Sequence, residues 1–315
     1  MNHSVIASLL PVVLLIAIGF LAGKRDWIKT ASVKDLSNLI FMVLAPALLF
    51  RTMSAVHVEQ LDFKPVAMYF VAAGLLFAGM LVTQGLSRRA TMLALASTFS
   101  NTVMIGVPLV GLAYGEAGLV TLFTLISLHA LVLLSLATVA LELAVAREDA
   151  AQGRAAQRRL AATVALAVRN AVIHPVPLPI LAGLLFAQTG LGLPEVVGKP
   201  LQLLGNAFSP LALVMVGVTL AHAPVGAQWK GALALSAVKN MLHPALVATL
   251  GWALGLGGVP LAVMIVAASL PIGANVFLFS QRYKVAEELV TASVAVSTVL
   301  GLVTVSAVMA LLANR

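Results

Sequence analysis

Two short stretches of this chain bring a proline, a glycine and an asparagine together inside otherwise apolar runs. One reads Ser100-Asn101-Thr102-Val103-Met104-Ile105-Gly106-Val107-Pro108, the other Leu270-Pro271-Ile272-Gly273-Ala274-Asn275. Proline has no amide hydrogen and its ring clashes with the preceding turn, while a nearby glycine loosens the backbone further. A helix written with these residues breaks. In hydrocarbon surroundings the freed amides and carbonyls are tolerated only against protein or a water-filled cavity. Two breaks meeting at one point would each present a half-helix N-terminus with partial positive charge. Gly106, Pro108, Pro271 and Gly273 then shape the backbone, and Asn101, Thr102 and Asn275 add neutral donors beside it. Such a site suits a carboxylate. The alternative is a pair of packed, dry kinks.

Few charged or titratable groups lie deep in apolar runs, where burial of a charge costs several kcal/mol. Lys239 and His243 share a helix face at i,i+4, with Asn240 adjacent. Either Lys239 faces a substrate or it snorkels back to the interface. His129 is central in the run 118–145, placed to bind a substrate oxygen, shuttle a proton or satisfy a bond between helices. Arg51 follows Pro46 by five residues at the end of a run; it anchors an interface or, turned inward, holds a carboxylate with both arms of its fork. No Asp or Glu sits deep in a run, Glu142 lying near the end of its own, so coupling through a buried carboxylate is not expected. No phosphate-binding glycine loop, metal cluster or nucleophile triad occurs, which argues against ATP-driven transport, a bound metal or cofactor, and an enzyme.

The elements that must position these residues follow from composition. Of 315 residues, 61% are hydrophobic and 10% charged, with mean hydropathy +1.06. A soluble domain carries roughly a quarter charged residues. There are too few charges here to solvate a surface, so a lipid bilayer must cover much of it. The absence of cysteine excludes disulfides, zinc–thiolate sites and iron–sulfur clusters. The segment Ser4–Ala22 is long enough to span, has no basic segment before it and runs into Gly23-Lys24-Arg25, so it is expected to remain as a span rather than be cleaved.

A span needs about 20 mostly apolar residues. On that measure the chain is expected to form an all-α membrane protein of ten helices, near 4–22, 36–55, 65–84, 91–114, 118–145, 173–190, 200–221, 230–255, 258–281 and 286–312. The lead-in 160–170 reads as an interfacial helix. Alternate loops differ in basic charge. One side collects 13, namely Lys24, Arg25, Lys29, Lys34, Arg88, Arg89, Arg147, Arg154, Arg158, Arg159, Lys230, Arg282 and Lys284. The other has 4, Arg51, Lys64, Lys199 and Arg315. The richer side is expected to be cytoplasmic, with both termini outside. This clustering in short loops also accounts for the net charge of +8 without nucleic acid.

The helix breakers recur. Pro11 and Pro175, Pro46 and Pro210, and Gly19 and Gly183 each differ by 164, and Pro108 and Pro271 by 163. Matching breakers in successive halves mark internal repeats, and five helices per repeat make the second enter from the opposite side. The chain then divides into a first five-helix repeat (1–146), a cytoplasmic linker with the interfacial helix (147–172) and a second, inverted repeat (173–315), with helices 4 and 9 broken and crossing.

At the two broken segments the sequence resembles the auxin efflux carrier family. Ser100-Asn101-Thr102 through Gly106-Val107-Pro108-Leu109 and Leu270-Pro271-Ile272-Gly273-Ala274-Asn275-Val276-Phe277 look like its two crossover motifs. Leu204-Gly205-Asn206-Ala207 through Pro210-Leu211-Ala212-Leu213, ending Val216-Gly217, is similar to its seventh span. The resemblance covers essentially the whole chain. It implies ten helices in two inverted repeats, each contributing to a scaffold and a transport domain, with substrate at the crossover. Plant members carry auxin, and bacterial members are linked to malonate and other carboxylates. The polar residues look closest to the bacterial branch, whose setting is the inner membrane. The long central loop of many plant members is missing, which counts against auxin. The family lines its pocket from spans 2, 5 and the crossover, which favours Arg51 and His129 as site residues.

The expected function is therefore a secondary transporter of a small organic anion, with no cofactor. Competing classes are an anion channel with the same pore, sodium symport of the bile-acid type using carbonyls and Asn side chains, and an intramembrane enzyme or sensor, for which no catalytic pair or signalling domain is found. Substrate, coupling ion (H+ or Na+), direction and oligomeric state, monomer or homodimer, stay open.

Overall fold

The computed structural model describes residues 2–56, 58–151, 165, 169, 176–223 and 226–313. The expected interfacial helix, apart from 165 and 169, most of the 147–172 linker, and Pro175 lie outside these residues. Among the described residues the protein is all α-helical. Its helices are α1 (Asn2–Lys24), α2 (Thr30–Leu39), α3 (Ala45–Met53), α4 (Phe63–Gln84), α5 (Arg88–Thr98), α6 (Val107–Ala151) and α7 (Pro177–Ala187). They continue as α8 (Glu195–His222), α9 (Trp229–Ala237), α10 (His243–Ala253), α11 (Gly258–Ser269), α12 (Ala274–Tyr283) and α13 (Glu287–Ala313).

Six segments are long and apolar enough to cross a membrane: Thr30–Met53, Phe63–Gln84, Thr102–Glu148, Glu195–His222, Gly226–Ala253 and Glu287–Ala313. Leu9–Lys24, Pro177–Ala187 and Gly258–Ser269 are shorter apolar helices. The outward faces are as apolar as the inward ones. On α1, Val12 and Ile16 are buried while Leu10, Leu14, Ile18 and Leu21, a turn or so apart, are each more than half exposed. A helix apolar all round belongs in lipid. This is a multi-pass membrane protein.

Three prolines are accommodated without ending their helices. Ahead of Pro46, Pro108 and Pro244 the helix widens into a π turn, at Ile40–Leu44, Thr102–Gly106 and Val238–Leu242. The amides of Ala45, Gly106 and His243 reach back five residues, to the carbonyls of Ile40, Asn101 and Val238. The wider turn relieves the clash of the proline ring and the carbonyl that would have met its absent N–H. Helix α6 bends sharply at Gly115, whose φ of 61° and ψ of −150° suit only glycine.

Glycine also sets two helix seams. A Cβ on Gly19 of α1 would collide with the carbonyl of Val214 on α8, and one on Gly217 of α8 with the carbonyl of Ile16 on α1. In α7, a Cβ on Gly183 would lie 2.6 Å from the carbonyl oxygen of Phe50 on α3. Backbones meet directly there, the way small residues let membrane helices approach. At one end of the molecule Arg88 at the start of α5 pairs with Glu148 near the end of α6 at 2.7 Å.

Candidate functional site

Two chain breaks build the site. After Thr98 the backbone turns extended at Phe99 (φ −85°, ψ 109°) and re-enters helix only beyond Asn101. After Ser269 it is extended from Leu270 (φ −62°, ψ 154°) to Gly273 (φ −75°, ψ 146°), where α12 begins. The two extended stretches lie antiparallel, Ser100 opposite Ile272. Asn101 donates its amide to the carbonyl of Pro271 at 2.8 Å, and Gly273 donates to Phe99 at 2.9 Å. Backbone groups that no helix satisfies thus satisfy each other.

The first break is not where the prolines placed it. It falls at Phe99–Asn101 rather than Gly106–Pro108, because the π turn carries Pro108 inside a continuing helix. Asn101 caps that turn, its side-chain oxygen accepting from the amide of Met104 at 3.3 Å.

The second break is pinned from α9, α10 and α13. Lys239, fully buried, donates from Nζ to the carbonyls of Ala268 at 2.6 Å and Leu270 at 2.7 Å, at the C-terminal end of α11. Asn240 donates to the carbonyl of Ser297 at 2.8 Å, and the Ser297 hydroxyl accepts from the amide of Ile272 at 3.1 Å. A Cβ on Gly273 would stand 2.8 Å from the Phe99 ring and 3.0 Å from the Ser100 carbonyl oxygen, so the breaks touch backbone to backbone.

A cavity of about 260 Å³ opens where both broken helices resume. Asn38, Ser100, Asn101, Thr102, His129 and Asn275 supply its polar wall; Phe41, Met42, Phe99, Ile126 and Leu278 are among its apolar ones. Ala274 and Asn275 open α12 there with no side-chain cap on the helix. Among the described residues no Lys, Arg, Asp or Glu lines it. Behind it Tyr69 of α4 is fully buried, its hydroxyl 3.2 Å from Ser100 Oγ and 3.3 Å from His129 Nε2. The ring of His243 packs 5.2 Å from that of Tyr69, and neither of its nitrogens has a hydrogen-bond partner. The described residues hold no group of three metal-ligating side chains.

Of the residues singled out in the sequence, Asn101, Thr102, His129, Gly273 and Asn275 meet at the cavity. Gly106 and Pro108 lie on the helix leaving the first break, and Pro271 lines a separate apolar void of about 20 Å³. Lys239 and His243 are buried behind the second break, while Arg51 is half-buried in the last turn of α3 and does not line the cavity. Sequence reasoning did not select Asn38, Ser100 or Tyr69. Asn38, at the start of an apolar run, and Tyr69, one of three tyrosines, were the available signals.

A family model for a membrane transport protein matches residues 4–309. The chain is 30% identical over 314 residues to a Rhizobium meliloti protein named "Putative malonate transporter", covering 96% of this chain and 94% of that one. It is 23% identical over 235 residues to auxin efflux carrier component 8 of Arabidopsis thaliana, covering 63% and 64%. A third match, "Probable auxin efflux carrier component 1b" of Oryza sativa subsp. japonica, is 28% identical over 129 residues, 40% of this chain and 23% of the relative.

Proposed function

Since the chain belongs to the membrane transport protein family, that of the auxin efflux carriers, we propose that it carries a small carboxylate across the membrane by alternating access, bound in the cavity between the two breaks. The observation that carries this is the cavity itself. Two helix starts and neutral donors from Asn38, Asn101, Thr102 and Asn275 converge on a space of about 260 Å³. Ligand pockets run roughly 300–1,000 Å³, so this one suits a compact ligand. Helix N-termini and amide donors attract an anion without a fixed cation, which leaves binding weak enough for release. The name of the Rhizobium relative makes malonate the first candidate.

Two inverted five-helix repeats would supply the machinery, and two observations support them. Gly19 of α1 seats on α8 while Gly183 of α7 seats on α3, so each half's first helix meets the other half's second. A twofold axis pairing 99 with 271, 100 with 272 and 101 with 273 also interchanges the two hydrogen bonds between the breaks. The two broken spans, 91–114 and 258–281, then cross at the bridge and rock as one unit against the remaining helices. The 13-to-4 distribution of basic residues supports an orientation with both termini outside the cytoplasm.

Counterflow in proteoliposomes tests the carrier. Vesicles loaded with unlabelled malonate, succinate or acetate should transiently accumulate the labelled compound. Flux that shows no saturation and no counterflow would indicate a channel instead.

A further inference from the structure

Among the described residues the cavity has one titratable side chain in its wall, His129, and no fixed charge to meet an anion. We propose that His129 takes up a proton together with the substrate, making the protein an anion–proton symporter. This rests on the cavity being the substrate site.

The argument is electrostatic. Among the described residues the Phe99 ring packs 4.5 Å from the His129 ring, and the titratable groups near it come from α4, α10 and the π turn before α10. From α4 comes Tyr69, hydrogen-bonded to Nε2; from α10, His243, its ring 5.2 Å from that of Tyr69; from the π turn before α10, Lys239. The first break, α2 and α12 bring Ser100, Asn38 and Asn275, which do not titrate. No carboxylate lines the cavity wall among the described residues. An imidazolium formed at His129 in the empty carrier would therefore have no counter-ion among the described residues. An anion entering while His129 is neutral would likewise lack an opposite charge in a low-dielectric site. Arriving together, each neutralises the other. Because coupling between two ligands is reciprocal, the anion raises proton affinity by the factor by which the proton raises anion affinity.

The step balances simply. A proton from water on one side binds the imidazole as the anion binds, and both leave to water on the other side. For a monocarboxylate the cycle is electroneutral; for a dianion one negative charge moves. Lys239 does not serve in place of His129, because its Nζ is already taken up by two carbonyls and does not line the cavity. Tyr69 is a positioning residue, its hydroxyl lying between the Ser100 hydroxyl and His129 Nε2.

The test uses the purified full chain in proteoliposomes with labelled malonate, succinate and acetate, a trapped pH dye, and the membrane potential clamped with potassium and valinomycin. An acid-outside gradient should drive accumulation, up to about tenfold per pH unit for one proton per anion, and the lumen should acidify as substrate enters. His129→Gln should accumulate no more than a gradient-free control. Tyr69→Phe should shift the pH of half-maximal uptake. Wild-type counterflow that ignores the pH gradient and leaves the lumen pH unchanged would overturn the coupling while sparing the carrier. So would His129→Gln accumulating like wild type. Absence of counterflow for all three compounds in the wild type would remove the carrier and the coupling with it.

Discussion

Lys239 sets its Nζ 2.7 Å from the carbonyl oxygen of Leu270 while also holding Ala268, so a buried amine closes the C-terminal end of α11 at the second break. Its donors meet the carbonyls of the helix end rather than a carboxylate. This geometry separates two roles that are identical in sequence, substrate contact and structural clamp.

For Lys239→Met the expected outcome is a stability loss, about 1–3 kcal/mol for each carbonyl left buried without its donor, read as a lowered melting temperature in detergent. Malonate affinity of the folded fraction should change little. A variant with normal melting and lost binding would instead put Lys239 in the site.

Asn101 and Asn275 should behave differently although both line the cavity. Asn101 also caps Met104, so Asn101→Ala should cost about 0.5–2 kcal/mol of stability as well as substrate affinity. Asn275 makes no cap; Asn275→Ala should weaken binding, by up to about tenfold for 1.4 kcal/mol, with stability unchanged. Calorimetry of binding alongside thermal melts of both variants checks the pair, and equal stability losses would contradict it.

Gly273 tests whether the breaks must touch. Its absent Cβ would meet backbone at the Ser100 carbonyl, 3.0 Å away, as well as the Phe99 ring. Gly273→Ala should therefore reduce transport, and Gly273→Leu should abolish it by filling the cavity wall and prising the bridge. Gly115→Ala makes the control, having open space around it but a left-handed φ of 61°. It should cost about 1–3 kcal/mol of strain and leave affinity near normal. Wild-type uptake by Gly273→Leu would show that the bridge is dispensable.

Topology is accessible because the chain has no cysteine. Asn2→Cys should react with an impermeant thiol reagent added to intact cells, and Gly153→Cys only after lysis. The opposite pattern reverses the orientation drawn from the basic loops.

The long apolar helices were legible because each is spelled out locally, in the length of an apolar run. The register of the first break was not. Phe99-Ser100-Asn101 contains neither proline nor glycine, and what holds it extended is the backbone of the other half. Pro108, the visible breaker, sits inside a helix because a π turn absorbs it. Pairing Pro108 with Pro271 therefore gave an offset of 163, whereas the bridge sets Ser100 opposite Ile272, an offset of 172. Depth along a helix likewise placed Lys239 and His243 far from water but did not say which face of the helix met the cavity. Tyr69 was hidden for a related reason: its hydroxyl matters only once α4, α5 and α6 bring Ser100 and His129 to it.

The glycine seam between α1 and α8 has a bearing on how such a chain can diverge. Most outward positions, such as Leu10, Leu14 and Ile18, face outward with room around them, and any apolar residue of similar bulk serves. At Gly19 and Gly217 the next atom is the neighbouring helix's own carbonyl, so even a methyl group must push whole helices apart. Substitutions should accumulate freely along one face of α1 and scarcely at all along the other. The rate of drift would trace the seam residue by residue, independently of whatever the protein carries.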